Sequence, residues 1–313
     1  MPAAELSSAG LAERLGAEAS AFAAGVADLA VHIAGVFTSP EILSVIGLCA
    51  FVVVVDFVRR GFRAVWPRRI VEGSLATLAI VAANLAFGPL VMFCAKGLQT
   101  GYDALHIPSV DPAFWAQFPK WALVPLAILA YDVANYWNHR AMHMRWLWPV
   151  HAVHHSEPEI TGLSVLRVHG LEALVMMGSY TLLLSWLGFP PDAMGGAAIL
   201  LGLHNAYVHV NVDWGHGLLA RLIASPRFHR WHHADVPEAH GKNLANVFPF
   251  LDVLFGTYYV PGRCEERLGA EGVPENDVAR LVLFPFVAWA GMIAQAFRRA
   301  KAPGALDNEA PVA

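Results

Sequence analysis

Charge is scarce in this sequence. Asp, Glu, Lys and Arg together make up 15% of its 313 residues, against about 25% in an ordinary soluble domain. There is no basic excess either: 21 Lys and Arg face 25 Asp and Glu, a formal net charge of −4. Nothing here would neutralise a phosphate backbone, so a nucleic-acid partner is excluded. Cysteine is scarcer still. Cys49, Cys94 and Cys264 are odd in number and widely spaced, and two lie in apolar runs; this rules out a disulfide framework and a cysteine-based zinc module. No linker rich in Pro, Gly or Ser divides the chain. Glu5 and Glu13 precede the first basic residue, Arg14, so the start does not read as a cleaved signal with a positive n-region. There is no HExxH motif.

What the sequence has instead is apolar length. Hydrophobic residues make up 56% of it, which points to an integral membrane protein. Residues 19–38 are Ala-rich but contain Asp28 and His32, and residues 1–40 read as an amphipathic or weakly inserted segment. Residues 42–58, 73–95, 121–138, 173–190 and 193–212 read as spans, and 281–297, interrupted by Pro285, as a short span or a surface helix. Arg59, Arg60, Arg63, Arg68 and Arg69 put the loop after residue 58 on the cytoplasmic side, whereas the Pro190-Pro191 turn has no basic residue. Residues 73–138 and 173–212 then form two hairpins entering from the cytoplasm. The expected fold is an all-α integral membrane protein of about four to six transmembrane or interfacial helices. A cytoplasmic helical cap would hold the chemistry, within a domain over 41–299, and 300–313 would be a flexible tail.

Histidine is the outlier, with 15 residues. His139 and His143 are spaced i, i+4. His151, His154 and His155 are spaced i, i+3, i+4, and His229, His232 and His233 repeat that spacing. Residues three and four apart share a helix face, so each cluster aims its imidazoles at one point. Imidazole suits Fe, Zn, Cu and Ni. All three clusters fall at the cytoplasmic ends of the expected spans. His209 is a further ligand candidate. His204, five residues earlier, lies about 140° away around a helix and reads as a packing residue. His169 reads as a ligand or as a support for one. His32, His106, His216 and His240 have no partner cluster and read as solvated or locally bonded. Asp132, seven residues before His139, reads either as an acceptor for an imidazole N–H or as a packing carboxylate bonded to Tyr or Trp; Glu172 is a weaker case of the same kind. Trp137, Trp146 and Trp148 read as an interfacial aromatic belt.

From residue 132 to residue 258 the text resembles the fatty acid hydroxylase/sterol desaturase superfamily. The matching residues are Asp132, Tyr136, His139-Arg140-Ala141-Met142-His143, Leu147-Trp148, His151-Ala152-Val153-His154-His155-Ser156, Arg167-Val168-His169 and His209-Val210-Asn211. They continue with Pro226 to His233, then Asn243, Asp252 and Phe255-Gly256-Thr257-Tyr258. The chain departs from the family at Leu244-Ala245, where Tyr-Gly is usual, and at Leu251, where Trp is usual.

The resemblance implies two iron ions (zinc in isolated material) held by His139, His143, His151, His154, His155, His209, His229, His232 and His233. Asp132, His169 and Asn211 would stand beside them as catalytic-site residues, and O2 would be the co-substrate. It implies hydroxylation of an unactivated C–H bond in a lipid drawn from the bilayer, or desaturation at the same centre. No cytochrome b5 or reductase domain, dinucleotide fingerprint or CxxCH site is present, so electrons would come from a separate cytochrome b5-, ferredoxin- or reductase-like donor. Arg140 and Arg230 stay protonated and would meet lipid headgroups or an acidic donor. The Ala-rich, Arg-over-Lys composition suggests a bacterial inner membrane. A histidine-rich metal transporter would need ionisable residues across the bilayer, and a zinc hydrolase a general-base carboxylate and fewer histidines; neither pattern is present. The lipid and the oligomeric state are not readable.

Overall fold

The computed structural model describes residues 68–301, together with helical residues 47, 51, 54 and 58. The expected segment 1–40, most of the expected span 42–58 and the tail from residue 302 lie outside the described residues. The described residues are helical, with a single isolated bridge between Ala234 and Leu268 and no strand.

The stretch 73–95 was expected as one span but is shared by two helices. α1 is Arg68–Asn84 and α2 is Gly88–Ala104, joined by a 3-10 turn over Leu85–Phe87. A short α3 (Pro112–Trp115) leads to α4 (Lys120–Met142), which ends in the first histidine pair. α5 (Trp148–His155) follows, with Pro149 in its first turn, where a missing N–H costs nothing. α6 (Glu172–Leu187) and α7 (Pro191–Val208) form a hairpin. Its turn depends on Gly188, which caps α6 at φ +57; a Cβ there would sit 2.7 Å from the Val110 carbonyl. α8 (Pro226–His232), α9 (Phe250–Phe255) and α10 (Val278–Lys301) complete the order.

α4 packs against both α6 and α7, and α2 packs against α6. One end of this four-helix bundle is closed by aromatics. Trp115 stacks on Phe189 with ring centroids 4.3 Å apart and donates to the Leu187 carbonyl at 2.7 Å. The other end carries α5, α8, α9 and the histidines. Among the described residues, two stretches are long and apolar enough to cross a membrane by length and composition, Arg68–Ala104 and Val278–Arg298.

Candidate metal centre

Nine imidazoles gather at that second end, in two groups. His139, His143, His151, His155 and His232 form one; His154, His209, His229 and His233 form the other. Within each group the ligand-capable nitrogens all lie within 4.8 Å of one another. Four helix ends supply them. α4 contributes His139 and His143 at its C-terminus, and α5 contributes three. The residue capping α7 is His209, and α8 with its cap contributes the last three. Ser225 starts α8 by accepting the Phe228 N–H at 3.2 Å, fixing the register of His229, His232 and His233. All but His143 are buried.

The outer nitrogens fix the tautomers. His139 Nδ1 donates to the Leu244 carbonyl at 2.8 Å, His154 Nδ1 to Arg167 at 3.2 Å, His209 Nδ1 to Asn205 at 2.7 Å and His232 Nδ1 to Lys242 at 2.8 Å. A carbonyl oxygen can only accept, so each Nδ1 holds the proton and each Nε2 presents a lone pair. Those lone pairs converge. His154 Nε2 and His209 Nε2 face each other at 3.2 Å with no proton left to share. The buried Nε2 atoms of His143, His155 and His232, and Nδ1 of His233, have no hydrogen-bond partner. Burial, reinforced by neighbouring imidazoles, holds His143, His151, His154, His155, His229, His232 and His233 well below the ordinary value of 6.5, so protons do not relieve the repulsion. Converging nitrogens, several of them presenting lone pairs or without a partner, fit a cation in each group, and an all-imidazole donor set suits a transition metal.

Asp132 and Glu172, both buried, exchange the expected parts. Asp132 has no imidazole partner. It accepts instead from the backbone N–H groups of Asn246, Val247 and Phe248, at 2.7, 3.0 and 2.6 Å. The physical reason is reach: the chain between α8 and α9 descends beside α4 and offers three unpaired amides at that depth. Glu172 is the carboxylate that meets an imidazole, with Oε2 3.2 Å from His151 Nδ1. His169 belongs to neither group, because both its ring nitrogens are used by backbone. Nε2 donates to the Val282 carbonyl at 3.0 Å and Nδ1 accepts from the Leu171 N–H at 3.1 Å. Asn211 is also spent elsewhere: its amide donates to Glu159 at 3.2 Å and accepts from Arg230. Arg140 donates to the Tyr136 hydroxyl at 3.2 Å.

Behind the imidazoles stands a polar frame. Asp252 accepts from the Leu244 and Ala245 N–H groups at 2.7 and 2.9 Å and from the Thr257 hydroxyl at 2.6 Å, and Thr257 in turn meets Tyr136 at 2.8 Å. Asn243 takes a left-handed φ of 56°, which Asn tolerates, and its side chain binds the backbone of Phe228 and Tyr259. Leu244 and Ala245 enter this frame through backbone atoms, so their departure from the family's usual residues leaves it intact. Arg167 is wholly buried, bonded to Ser156 at 2.9 Å and to the Gly73 carbonyl at 3.3 Å, with Glu157 at 3.8 Å. Glu157 carried no signal in the sequence beyond its place next to Ser156. Trp137 and Trp146 are about half exposed, but Trp148 packs on His143 and His155, each with centroids 5.2 Å away.

Residues 124–257, the stretch that contains all nine imidazoles and most of the frame, match the fatty acid hydroxylase family. This segment is thus similar to a fatty acid hydroxylase domain. Among curated proteins, the ornithine lipid hydroxylase of Rhizobium tropici is 31% identical over 155 residues, 48% of this chain and 46% of that one. The alkylglycerol monooxygenase of Danio rerio is 30% identical over 134 residues, 42% and 30% of the two chains. Methylsterol monooxygenase 2-2 of Arabidopsis thaliana is 29% identical over 157 residues, 44% and 54%. The chain thus spans about a third to a half of the length of these relatives. No solved structure matches it.

Proposed function

We propose that this chain is an O2-dependent oxidoreductase that hydroxylates an unactivated C–H bond of a membrane lipid at a two-iron centre, with electrons from a separate protein. The observation that carries the reading is the pair of adjoining groups of five and four imidazoles whose ligand-capable nitrogens converge, several of them buried without a hydrogen-bond partner. Four of the nine outer nitrogens are held by backbone carbonyls and one by Glu172. Those bonds orient the rings before a metal arrives and raise ligand basicity. When bound, iron supplies redox chemistry with O2 that no side chain in the fold can perform. The protein's own part is to position and to exclude water: the ligands are buried, and Trp148 and the Tyr136–Thr257–Asp252 chain close around them.

The relatives named as lipid hydroxylase, alkylglycerol monooxygenase and methylsterol monooxygenase support a lipid substrate and hydroxylation. In this reading α2, α4, α6 and α7 cross the bilayer. α2, α6 and α7 measure about 24–27 Å at about 1.5 Å per residue, close to a hydrocarbon core of about 30 Å. The substrate reaches the metal end from within the bilayer. Metal analysis of purified protein, paired with lipid product analysis under labelled O2, tests the reading. About two irons per chain and label in a hydroxylated lipid are expected. A folded protein with no metal, or product oxygen drawn from water, would overturn it.

A further inference from the structure

Both stretches that qualify as membrane spans by length and composition contain a helix that stays at the histidine end. The contacts of α10, taken in order along the helix, show this. Val282 O accepts from His169 at 3.0 Å, Trp289 Nε1 donates to the Trp146 carbonyl at 2.8 Å, and Gln295 accepts from Arg145 at 3.5 Å. His169, Trp146 and Arg145 all belong to connections at the histidine-bearing end of the bundle. Between residues 282 and 295 a helix advances about 20 Å, yet its partners never move toward the Trp115–Phe189 end. Its main packing partners are α5, which carries three of the histidines, and α1. α1 behaves the same way. Gly73 O accepts from Arg167 at 3.3 Å, Ile80 packs with Ala152, Val153 and Leu281, and Asn84 donates to the Val168 carbonyl at 2.8 Å.

The outward face of α10 is apolar. Leu283, Phe286, Val287, Ile293 and Phe297 are exposed, Val287 at 67% and Phe297 at 64%. At about 100° per residue they fall within a single arc of about 120°. No charged residue interrupts 281–297, while Arg280 precedes it and Arg298, Arg299 and Lys301 follow. On α1, Leu75 and Leu78 are likewise exposed. A long apolar stripe between basic ends, on a helix held level with one end of a spanning bundle, has the form of a helix lying in a membrane interface.

We infer that α1 and α10 lie side by side in the plane of the membrane interface at the histidine-bearing end, their outward apolar faces in the lipid. The inference rests on α2, α4, α6 and α7 being the spanning bundle. The bilayer is the occupant because the bundle also exposes apolar side chains, including Leu182, Trp186 and Leu200, and because the cationic ends of α10 suit headgroups. One consequence is that the chain beyond α10 stays on the same side as the histidines.

The test uses the full-length protein in nanodiscs containing anionic phospholipid. In a background lacking the native cysteines, spin labels replace Leu283, Val287, Ile293 and Phe297, with Leu182 and Leu200 as bundle controls and Glu271 as a solvent control. Relative accessibility to O2 and to a nickel chelate reports depth. The four α10 labels should share one shallow depth, with Leu182 and Leu200 deeper. A depth profile peaking at the middle of α10 would mean that it crosses, and would overturn the inference. So would accessibility equal to that at Glu271, or strong label–label broadening from a second copy of the chain. If Leu182 and Leu200 were themselves in water, the bundle reading would fail first and the inference with it. A second measurement keeps the native cysteines: protease accessibility of a tag inserted at 271 and of a C-terminal tag in sealed vesicles. Both tags should be cut from one side; cutting from opposite sides overturns the inference.

Discussion

The five-imidazole and four-imidazole groups have centres of the same donor type and differ in what stands behind them. In both, buried Nε2 atoms converge and carbonyl oxygens hold the outer nitrogens. Only the larger group has a carboxylate in that position, Glu172 behind His151. A carboxylate partner raises the basicity of an imidazole ligand more than a carbonyl does. With five donors against four, the first group should hold an ion more tightly, and the second should leave more of its coordination sphere for other ligands. Two sites of one donor type can thus differ through a single residue that touches no metal.

The strongest way to break this comparison is to remove one ligand from each group. His232→Ala and His233→Ala are adjacent in sequence but belong to different groups. Each should abolish turnover, and each should lower metal content from about two ions to about one per folded chain. Elemental analysis checks this. A variant that loses both ions, or neither, would show that the division into two sites is wrong.

The next effects separate Asp132 from Glu172. Glu172→Gln should weaken metal binding by about 10–100-fold, at the larger group alone, with little change in thermal midpoint of the metal-free protein. Asp132→Asn should do the reverse. It removes a charged acceptor from three buried N–H groups, a loss of about 2–4 kcal/mol in stability, while the folded fraction keeps its metal. Chelator titration and thermal unfolding, applied to both variants, would show the reverse pattern if the sequence's first reading of Asp132 were the better one.

The sequence went further with the ligands than with their supports, for a physical reason. Ligand positions follow from helical spacing, a local property, and His139 to His155 and His229 to His233 could be grouped on that ground. Which group each belongs to depends on how four helix ends meet, so the split of His154 from His155, neighbours in sequence, had no local signal. Supports are longer-ranged still. Asp132 and Phe248 are 116 residues apart, and His169 and Val282 are 113 apart. A buried carboxylate or imidazole announces that a partner exists without saying which. The apolar helices were blurred similarly. Residues 73–95 carry no charge, and only the contacts of Gly73, Ile80 and Asn84 show that α1 stays at the histidine-bearing end while α2 follows α6.

Acid offers a gentler probe. His143, His151, His154, His155, His229, His232 and His233 are held below their ordinary 6.5, first by burial and then by one another. Unfolding frees them to take protons at that ordinary value. The unfolded chain therefore binds more protons between the two values, and stability falls as pH drops. Metal-free protein should be evenly stable above about pH 6.5 and lose stability steeply below it. Metal-loaded protein should hold to a lower pH, because bound metal competes with protons for the same nitrogens. A metal-free thermal midpoint unchanged between about pH 7 and 5 would contradict the shared depression.

The smallest expected effect marks the edge of the site. His240 is half exposed, and its Nε2 lies 3.7 Å from an Asp235 carboxylate oxygen. It belongs to neither imidazole group. An exposed pair of this kind contributes less than about 0.5 kcal/mol, since water screens the attraction and the side chains lose freedom in making it. His240→Ala should leave metal content at its full value and shift the thermal midpoint by a degree or so. Glu172→Gln, by contrast, removes a group that also touches no metal and yet loosens one. If His240→Ala lowered metal content as far as Glu172→Gln does, then remote histidines would tune the centre through its field, and the contact between Glu172 and His151 would lose its special standing.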